Sequence, residues 1–291
     1  MIDVIVNPIA GDRSGKKIVA KMKVVSNQFE KRGCEYTLHR IDKSQRTRDY
    51  IANLIKNGAT TIVAMGGDGT LHQVVNGITD FDKISLGLIP CGTGNDFAKN
   101  LGIPTDLEKA VDLIVDGIAK PTDYFQLPTV RGINVIGTGI DVDVLKRYTN
   151  LKKKSKFGYT WCLIKTLFKF KSTPLTAEFN GKTKRFNCIM AGVCNGSYIG
   201  GGLQVSPNAC AYDNKLEFLC VDNIKKIKLP NAFLQLKKGK VLQIKTAFTE
   251  SVTKIKIVGD NNLTLQIDGE IYENIPFEVE IVSDKLKMFR P

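Results

Sequence analysis

Ala64-Met65-Gly66-Gly67-Asp68-Gly69-Thr70-Leu71 joins a strand pattern to a helix pattern. Upstream, Thr60-Thr61-Ile62-Val63 is β-branched and apolar and reads as a buried strand. Downstream, residues 71–77 read as a short helix closed by Gly77. Three glycines and one Asp therefore occupy a strand-to-helix turn. Glycine lets the backbone adopt φ > 0 and lets a ligand approach bare N–H groups. The helix start adds unpaired N–H groups and the positive end of a dipole, which suits phosphate. Asp68 would repel a bare phosphate. A divalent cation bridging its carboxylate to phosphate oxygens removes that conflict.

A second loop, Pro90-Cys91-Gly92-Thr93-Gly94-Asn95-Asp96-Phe97-Ala98, has the same design. Thr93 offers a hydroxyl and an N–H to phosphate. Asn95 is expected to cap the following helix, with Asp96 in its first turn. Around these loops, residues 1–120 alternate strand and helix. Strands are expected over 3–7, 35–40, 60–65 and 84–89. Helices are expected over 16–31 and 44–56, from about Asn95, and after Asp106. That rhythm implies a mostly parallel sheet with helices on both sides, binding ligands beyond the carboxyl ends of its strands. Asn7, residues 66–70 and residues 90–95 all fall at such ends.

The 291 residues are 43% apolar, enough for real cores in one large or two medium domains. Lys and Arg number 42 against 29 acids, a formal charge of +13 that favours an anionic partner. Seven scattered Cys form no CxxC pair and no metal-ligand spacing, which points to reduced thiols in a cytosol. The start reads as a strand and not as a signal peptide, and no stretch approaches the length of a membrane span.

After residue 122 short strands dominate and helical patterns become rare. Asn180-Gly181 reads as a hairpin turn. Further strands are expected over 187–194, 215–221, 254–258, 262–267 and 277–282, an antiparallel sandwich or barrel. The expected domains are thus a nucleotide-binding α/β domain over 1–125 and a β-rich acceptor domain over 126–291, with the last strand packing back on the first. Asp268-Gly269 can be a hairpin turn. Asp268 and Glu270, two apart on a strand, would instead share one face, which suits a base and its orienter.

Gly66-Gly-Asp-Gly-Thr70 resembles the nucleotide loop of diacylglycerol kinases, sphingosine kinases and NAD kinases. Pro90-Cys-Gly-Thr-Gly-Asn-Asp-Phe-Ala98 is similar to the diacylglycerol kinase catalytic domain in particular. Asn7-Pro8, Gly11 and Ser14-Gly15-Lys16 resemble that family's first phosphate-side loop, and Leu265-Gln-Ile-Asp-Gly-Glu270 resembles its Asp-Gly-Glu motif. The resemblance implies a diacylglycerol-kinase-like α/β domain, followed by a β-rich antiparallel sandwich. It also implies Mg²⁺ as cofactor and ATP as phosphate donor. Asn7, Pro8, Gly11, Arg40, Gly66, Gly67, Asp68, Gly69, Thr70, Gly92, Thr93 and Asn95 would hold the nucleotide. Asp68 and Asp123 would serve the metal, and Asp268 and Glu270 would activate the acceptor hydroxyl. Two departures stand out. Gln73 occupies a position that is often acidic. In the family's structural-metal loop Asp213 remains, but Tyr212 and Asn214 replace an Asp and a Gly.

Residues 144–171 carry nine Lys or Arg, including Lys152, Lys153, Lys154, Lys156 and Lys165, interleaved with aromatics such as Trp161 and with no acid. Residues 223–249 carry seven more Lys, again with no acid. Such segments suit an anionic membrane surface. The expected activity is transfer of the γ-phosphate of ATP to a lipid hydroxyl, diacylglycerol giving phosphatidic acid, by a cytoplasmic protein peripheral to the inner face of the membrane. The rivals are a sphingoid base, monoacylglycerol, polyprenol or NAD as acceptor, and a non-catalytic nucleotide- or nucleic-acid-binding regulator. Nucleic acid is not expected as a partner, and a homodimer is left open. Gly200-Gly201-Gly202 reads either as a cleft-lining loop or as a plain bulge. His72 is expected at the surface, and neither it nor His39 is given a catalytic role.

Overall fold

Contacts between residues divide the chain into residues 1–123 with 283–291, and residues 124–282. The structure is a computed structural model that describes residues 1–9, 16–41, 44–151, 156–167, 169–260 and 262–291, with the backbone alone at 44, 45, 156 and 226.

In the first unit the elements are β1 (Ile2–Val6), α1 (Lys16–Lys31), β2 (Tyr36–Arg40), α2 (Ser44–Lys56), β3 (Thr61–Gly66), α3 (Asp68–Gly77), β4 (Ser85–Pro90), α4 (Asp96–Asn100), α5 (Leu107–Asp116) and β5 (Ala119–Gln126), whose end enters the second unit. β1 pairs in parallel with β2 on one edge and β3 on the other, and β3 pairs in parallel with β4. The order β2-β1-β3-β4 sends successive crossovers in opposite directions from β1. A topological switch point therefore lies at the carboxyl ends of β1 and β3. Helix α1 packs with α5, and α2 with α3. Ile18, Val25 and Phe29 of α1 and Ala110, Val111 and Ile114 of α5 are buried with Val4, Val6, Val63 and Met65 of the sheet. Asp106 caps α5 by accepting the Lys109 N–H at 3.0 Å.

The second unit contains β6 (Arg131–Gly132), β7 (Val135–Gly139), α6 (Ile140–Thr149), α7 (Lys156–Leu167), β8 (Thr173–Phe179), β9 (Lys182–Cys194), β10 (Tyr198–Ile199), β11 (Leu203–Gln204), β12 (Leu216–Asp222), α8 (Leu229–Lys237), β13 (Ala247–Val252), β14 (Lys254–Gly259), β15 (Leu265–Ile267), β16 (Glu270–Tyr272) and most of β17 (Phe277–Phe289). β9 is its spine. Residues 182–188 pair with β8, and residues near its end pair with β7 on one edge and β12 on the other, all antiparallel. The sheet continues from β9 through β8 to β14 and β17. Asn180 (φ 48°) and Gly181 (φ 70°) make the expected hairpin turn between β8 and β9. Phe125, Phe179, Phe186 and Phe218 lie in the core of the sandwich. The final residues of β17 pair in parallel with β4, Lys287 opposite Ser85.

Helices are more prominent here than the sequence pattern suggested. α7 shows why: Tyr159, Cys162 and Leu163 are buried, yet Phe157 and Trp161 are exposed. Apolar side chains on both faces blur a 3.6-residue period. Residues 200–202 form a tight turn and not a plain bulge. They turn the chain between β10 and β11 with φ of 62°, 86° and 114°. A Cβ on Gly200 would stand 2.2 Å from the Tyr159 ring.

Candidate active site

The two glycine loops of the first unit touch backbone to backbone. A Cβ on Gly92 would lie 2.5 Å from the Gly67 Cα, and one on Gly67 would lie 3.0 Å from the Gly92 Cα. Neither position admits a side chain without spreading the loops. The Cys91 N–H donates to the Gly66 carbonyl at 2.7 Å, and Lys21 Nζ donates to the Cys91 carbonyl at 3.1 Å. Asn7 Nδ2 donates to Thr70 Oγ1 at 3.3 Å across the switch point. Asn7 Oδ1 accepts the Ile9 N–H at 3.1 Å, so its side chain shapes the turn past Pro8. Burial pushes the Cys91 thiol up to about 11, which keeps it a protonated apolar filler at neutral pH.

Asp68 has a structural role of its own. Its Oδ1 accepts the Phe97 N–H at 3.1 Å, so it caps α4 from the neighbouring loop. Asn95, expected as that cap, has φ 54° and makes no capping bond. Instead its Oδ1 accepts the Gly92 N–H at 2.9 Å and its Nδ2 donates to the Gly92 carbonyl at 3.2 Å. A left-handed Asn at that position closes the loop on itself, and the cap passes to Asp68. A Cβ on Gly94 would stand 3.0 Å from Asp68 Oδ2 and 3.2 Å from Asp96 Oδ2, so both carboxylates flank one glycine. Two carboxylates beside these glycine loops could form a donor set for a hard divalent cation that takes its other ligands from phosphate and water. The sequence assigned Asp96 only to a helix turn. Its nearness to Asp68 follows from the contact of the two loops.

Asp123 is buried near the end of β5. Among the described residues no three His, Cys, Asp or Glu side chains cluster as a metal site. Asp213, carried over as a structural-metal ligand, accepts the Lys215 N–H at 3.1 Å in an exposed turn. The left-handed Asn214 (φ 63°) completes that turn. Arg40 ends edge strand β2 and is exposed. His72 is buried, contrary to the surface position expected, because α3 starts at Asp68 and turns it inward. His39 lies between Asp3 Oδ1 (2.8 Å) and the Tyr50 hydroxyl (2.9 Å). Gly11, Ser14, Gly15, Lys152, Lys153 and Lys154 lie outside the described residues, as does the side chain of Lys156.

In the second unit Asp268 and Glu270 do not share a strand face. Asp268 (φ 52°) and Gly269 (φ 87°) turn the chain between β15 and β16, and Glu270 pairs with Ile267. The hairpin alternative is the one the chain adopts. The Asp268 carboxylate is buried and accepts three main-chain N–H groups: Ile133 at 2.9 Å, Asn134 at 2.8 Å and Val135 at 3.2 Å. It ties the turn to the start of β7. Glu270 is exposed at the start of β16. Gln266 Oε1 accepts the Gly269 N–H at 3.1 Å from below the turn.

Sequence reasoning missed Asp141, although Gly137-Thr-Gly-Ile-Asp141 is another glycine turn from strand to helix. Its Oδ1 accepts the Val142 N–H at 2.9 Å, and its Oδ2 is buried with no hydrogen-bond partner among the described residues. Burial raises its pKa to about 7, with partial relief from that N–H and the Gln266 amide.

The basic segment over α6 and α7 splits its aromatics. Tyr148 and Phe170 pack around buried Tyr159. Phe157 is 80% exposed and Trp161 49%, with Lys165 Nζ 4.9 Å above the Trp161 ring. No described helix is long and apolar enough to cross a membrane.

An α/β unit with two touching glycine loops at its strand ends, followed by an antiparallel sandwich, is an architecture found among nucleotide-dependent kinases. Residues 2–127 match the family described as the diacylglycerol kinase catalytic domain, and residues 134–290 match the YegS C-terminal NAD kinase beta sandwich-like domain. The chain belongs to this diacylglycerol kinase and YegS-like lipid kinase family, a family of phosphotransferases that implies ATP as donor. It is 26% identical over 281 residues to a diacylglycerol kinase of Bacillus subtilis, covering 94% of this chain and 91% of that one. It is 27% identical to a "Probable lipid kinase YegS-like" of Xanthomonas oryzae, covering 94% and 92%. The fold matches a diacylglycerol kinase of Bacillus anthracis with a TM-score of 0.72 at 19% identity, covering 100% and 96%. It also matches an NAD kinase of Archaeoglobus fulgidus in complex with ATP with a TM-score of 0.50 at 15% identity, covering 100% and 94%.

Proposed function

We propose that this protein transfers the γ-phosphoryl group of ATP to the hydroxyl of a membrane lipid, with diacylglycerol as acceptor and phosphatidic acid as product. The observation that carries the nucleotide half is the contact of Gly67 with Gly92, which brings two rows of loop N–H groups and two carboxylates to one sheet edge. Asp68 and Asp96 would hold Mg²⁺, which supplies charge neutralisation at the phosphates when bound. Asn7, Thr70 and Thr93 orient the nucleotide phosphates. The expected set also includes Gly66, Gly69, Pro8 and Arg40 at the rim.

Glu270 takes the acceptor's proton. It is exposed and has carboxylate oxygens to offer, whereas both Asp268 oxygens already accept main-chain N–H groups. Asp268 then acts by holding the Asp-Gly-Glu turn in place. Phosphoryl transfer needs little more than positioning, one base and charge neutralisation.

The lipid half rests on charge and exposure in the second unit. Phe157 and Trp161 stand outward on a lysine-rich, acid-free segment. Each Lys near an anionic surface contributes about 1 kcal/mol, and exposed aromatics anchor at the headgroup level. A labelled-ATP assay on mixed micelles of diacylglycerol, monoacylglycerol, a sphingoid base and a polyprenol, with NAD in parallel, tests the reading. Labelled phosphatidic acid is the expected product; label in NAD alone would sink it.

A further inference from the structure

The Asp-Gly-Glu turn is held from beneath by a chain of polar groups that ends on Asp141. The Gly269 N–H, next to Glu270, donates to Gln266 Oε1 at 3.1 Å. The other end of the Gln266 amide has only a weak main-chain acceptor. Its Nε2 stands 3.5 Å from the Val135 carbonyl, which already accepts the Asp268 N–H at 3.0 Å. Nε2 also faces Gly137, where a Cβ would lie 3.4 Å from it. The same Cβ would run into Asp141 Oδ2. Gly137 therefore leaves room for a carboxyl oxygen and an amide nitrogen over one backbone position. Asp141 is buried there, with Oδ1 accepting the Val142 N–H at 2.9 Å and the Gln266 amide favouring its charged form.

We propose that Asp141, acting through the Gln266 amide, is a positioning residue for the Asp-Gly-Glu turn, and that its protonation releases the Gly269 N–H; the inference rests on the role given to Glu270 above. Ionised, Asp141 Oδ2 can only accept, so it draws Nε2 toward itself and leaves Oε1 for Gly269. Protonated, with Oδ1 engaged by Val142, the carboxyl carries its proton on Oδ2 and becomes a donor. Two donors then face each other. Turning the amide over relieves them, bringing Oε1 to the carboxyl O–H and the NH₂ group against the Gly269 N–H. Gly269 loses its acceptor, and the turn that carries Glu270 loses a tie. One proton passes from solvent to Oδ2, and no bond between heavier atoms forms or breaks. Burial opposes the charge of Asp141 and brings its titration to about 7, so both forms are populated near neutrality. Its titratable surroundings are Asp143 on α6, which also opposes the charge, and Cys194 on β9, held protonated by burial with a pKa of about 12. Tyr159 and Cys162 of α7 pack against Ile140 and Val144 of α6. β7 and β15 bring no titratable side chain.

The test reads Gly269 directly, by the amide shift of this residue in ¹⁵N-labelled protein. The shift should titrate between about pH 6 and 8 in the wild type. Asp141→Asn should freeze it, since an NH₂ group in place of Oδ2 holds the protonated arrangement at every pH. Turnover should follow. Wild-type kcat should fall about tenfold below the same midpoint, with KM for ATP unchanged. Asp141→Asn should run at that acid level throughout, although it gains stability at about pH 8. Gained stability with lost kcat is a pattern that a merely structural role does not produce. Gln266→Leu, which removes the acceptor of Gly269, should also abolish the titration and lower kcat. Circular dichroism checks folding; if Asp141→Asn does not fold, Gln266→Leu carries the test. A Gly269 amide that does not titrate in the wild type, or that still titrates in either variant, overturns the proposal whatever the kinase assay shows. So does a titration abolished by the variants with kcat unchanged. Titration of Gly269 through Asp141 with no lipid phosphorylated overturns the kinase reading instead, and leaves a proton-linked turn.

Discussion

Asp268 Oδ2 accepts the Ile133 N–H at 2.9 Å, joining the Asp-Gly-Glu turn to the bend before β7, 135 residues earlier in the second unit. With Asn134 and Val135 also donating to Oδ1, this carboxylate holds together two segments remote in sequence. Asp268→Asn places an NH₂ donor against main-chain donors. We expect a loss of about 2–3 kcal/mol of stability in urea unfolding, with reduced turnover as a consequence. Glu270→Gln should leave unfolding unchanged and lower turnover by about 10²–10⁴. Full turnover by Glu270→Gln would remove it as the base.

Gly92→Ala should be harsher than its size suggests. Its Cβ meets the Gly67 Cα at 2.5 Å, a backbone atom that cannot rotate away. We expect ATP affinity by calorimetry to fall at least tenfold, and stability by about 1–3 kcal/mol as the loops are forced apart. A neutral outcome would show that loop contact is dispensable for the nucleotide.

Asp68 and Asp96 should separate by what else they do. Asp96→Asn is expected to raise the Mg²⁺ concentration for half-maximal transfer about tenfold, with little effect on unfolding. Asp68→Asn should do the same and also weaken the cap on α4, costing about 1 kcal/mol. Unchanged Mg²⁺ dependence in both variants would sink the assignment.

Asp141 gives the second unit a pH signature. Its folded pKa of about 7 is raised above the unfolded value near 4. The folded state therefore holds the proton more tightly. Its contribution to stability is fully present below about pH 4 and is lost as pH rises through about 7. The ceiling on that loss is about 4 kcal/mol. Asp141→Asn should flatten stability across this window and gain most at pH 7 and above. Parallel curves for wild type and variant would contradict the buried acid.

Trp161, half exposed on α7, reports membrane contact without a label. Its emission should shift to the blue on vesicles containing anionic lipid, and the shift should fade as salt is raised. Equal response to neutral vesicles would remove the electrostatic part.

Most of the first unit was legible because its determinants are local. α1, with Ile18, Val25 and Phe29 at helical spacing, and α2 occupy the spans their patterns indicate. Asp106 caps α5 as its sequence suggests. Where a determinant was not local, the reading failed. Asn95 looked like a cap, but the cap is Asp68, 29 residues before the Phe97 N–H that it accepts. Asp268 and Glu270 looked like two residues on one strand face, but three N–H groups from residues 133–135 favour the turn. α7 and α8 were hidden because exposed apolar side chains break their periodicity.

The sequence by itself determined the alternation of strands and helices, the two glycine loops and the family they mark, because backbone conformation at Gly, Asn and Pro and hydrophobic periodicity are properties of neighbours along the chain. Only the tertiary structure decided which carboxylate of the Asp-Gly-Glu turn is buried and bonded and which is exposed, and which two flank Gly94. Those depend on hydrogen-bond donors and packing partners that reach each residue from strands and loops far away in sequence.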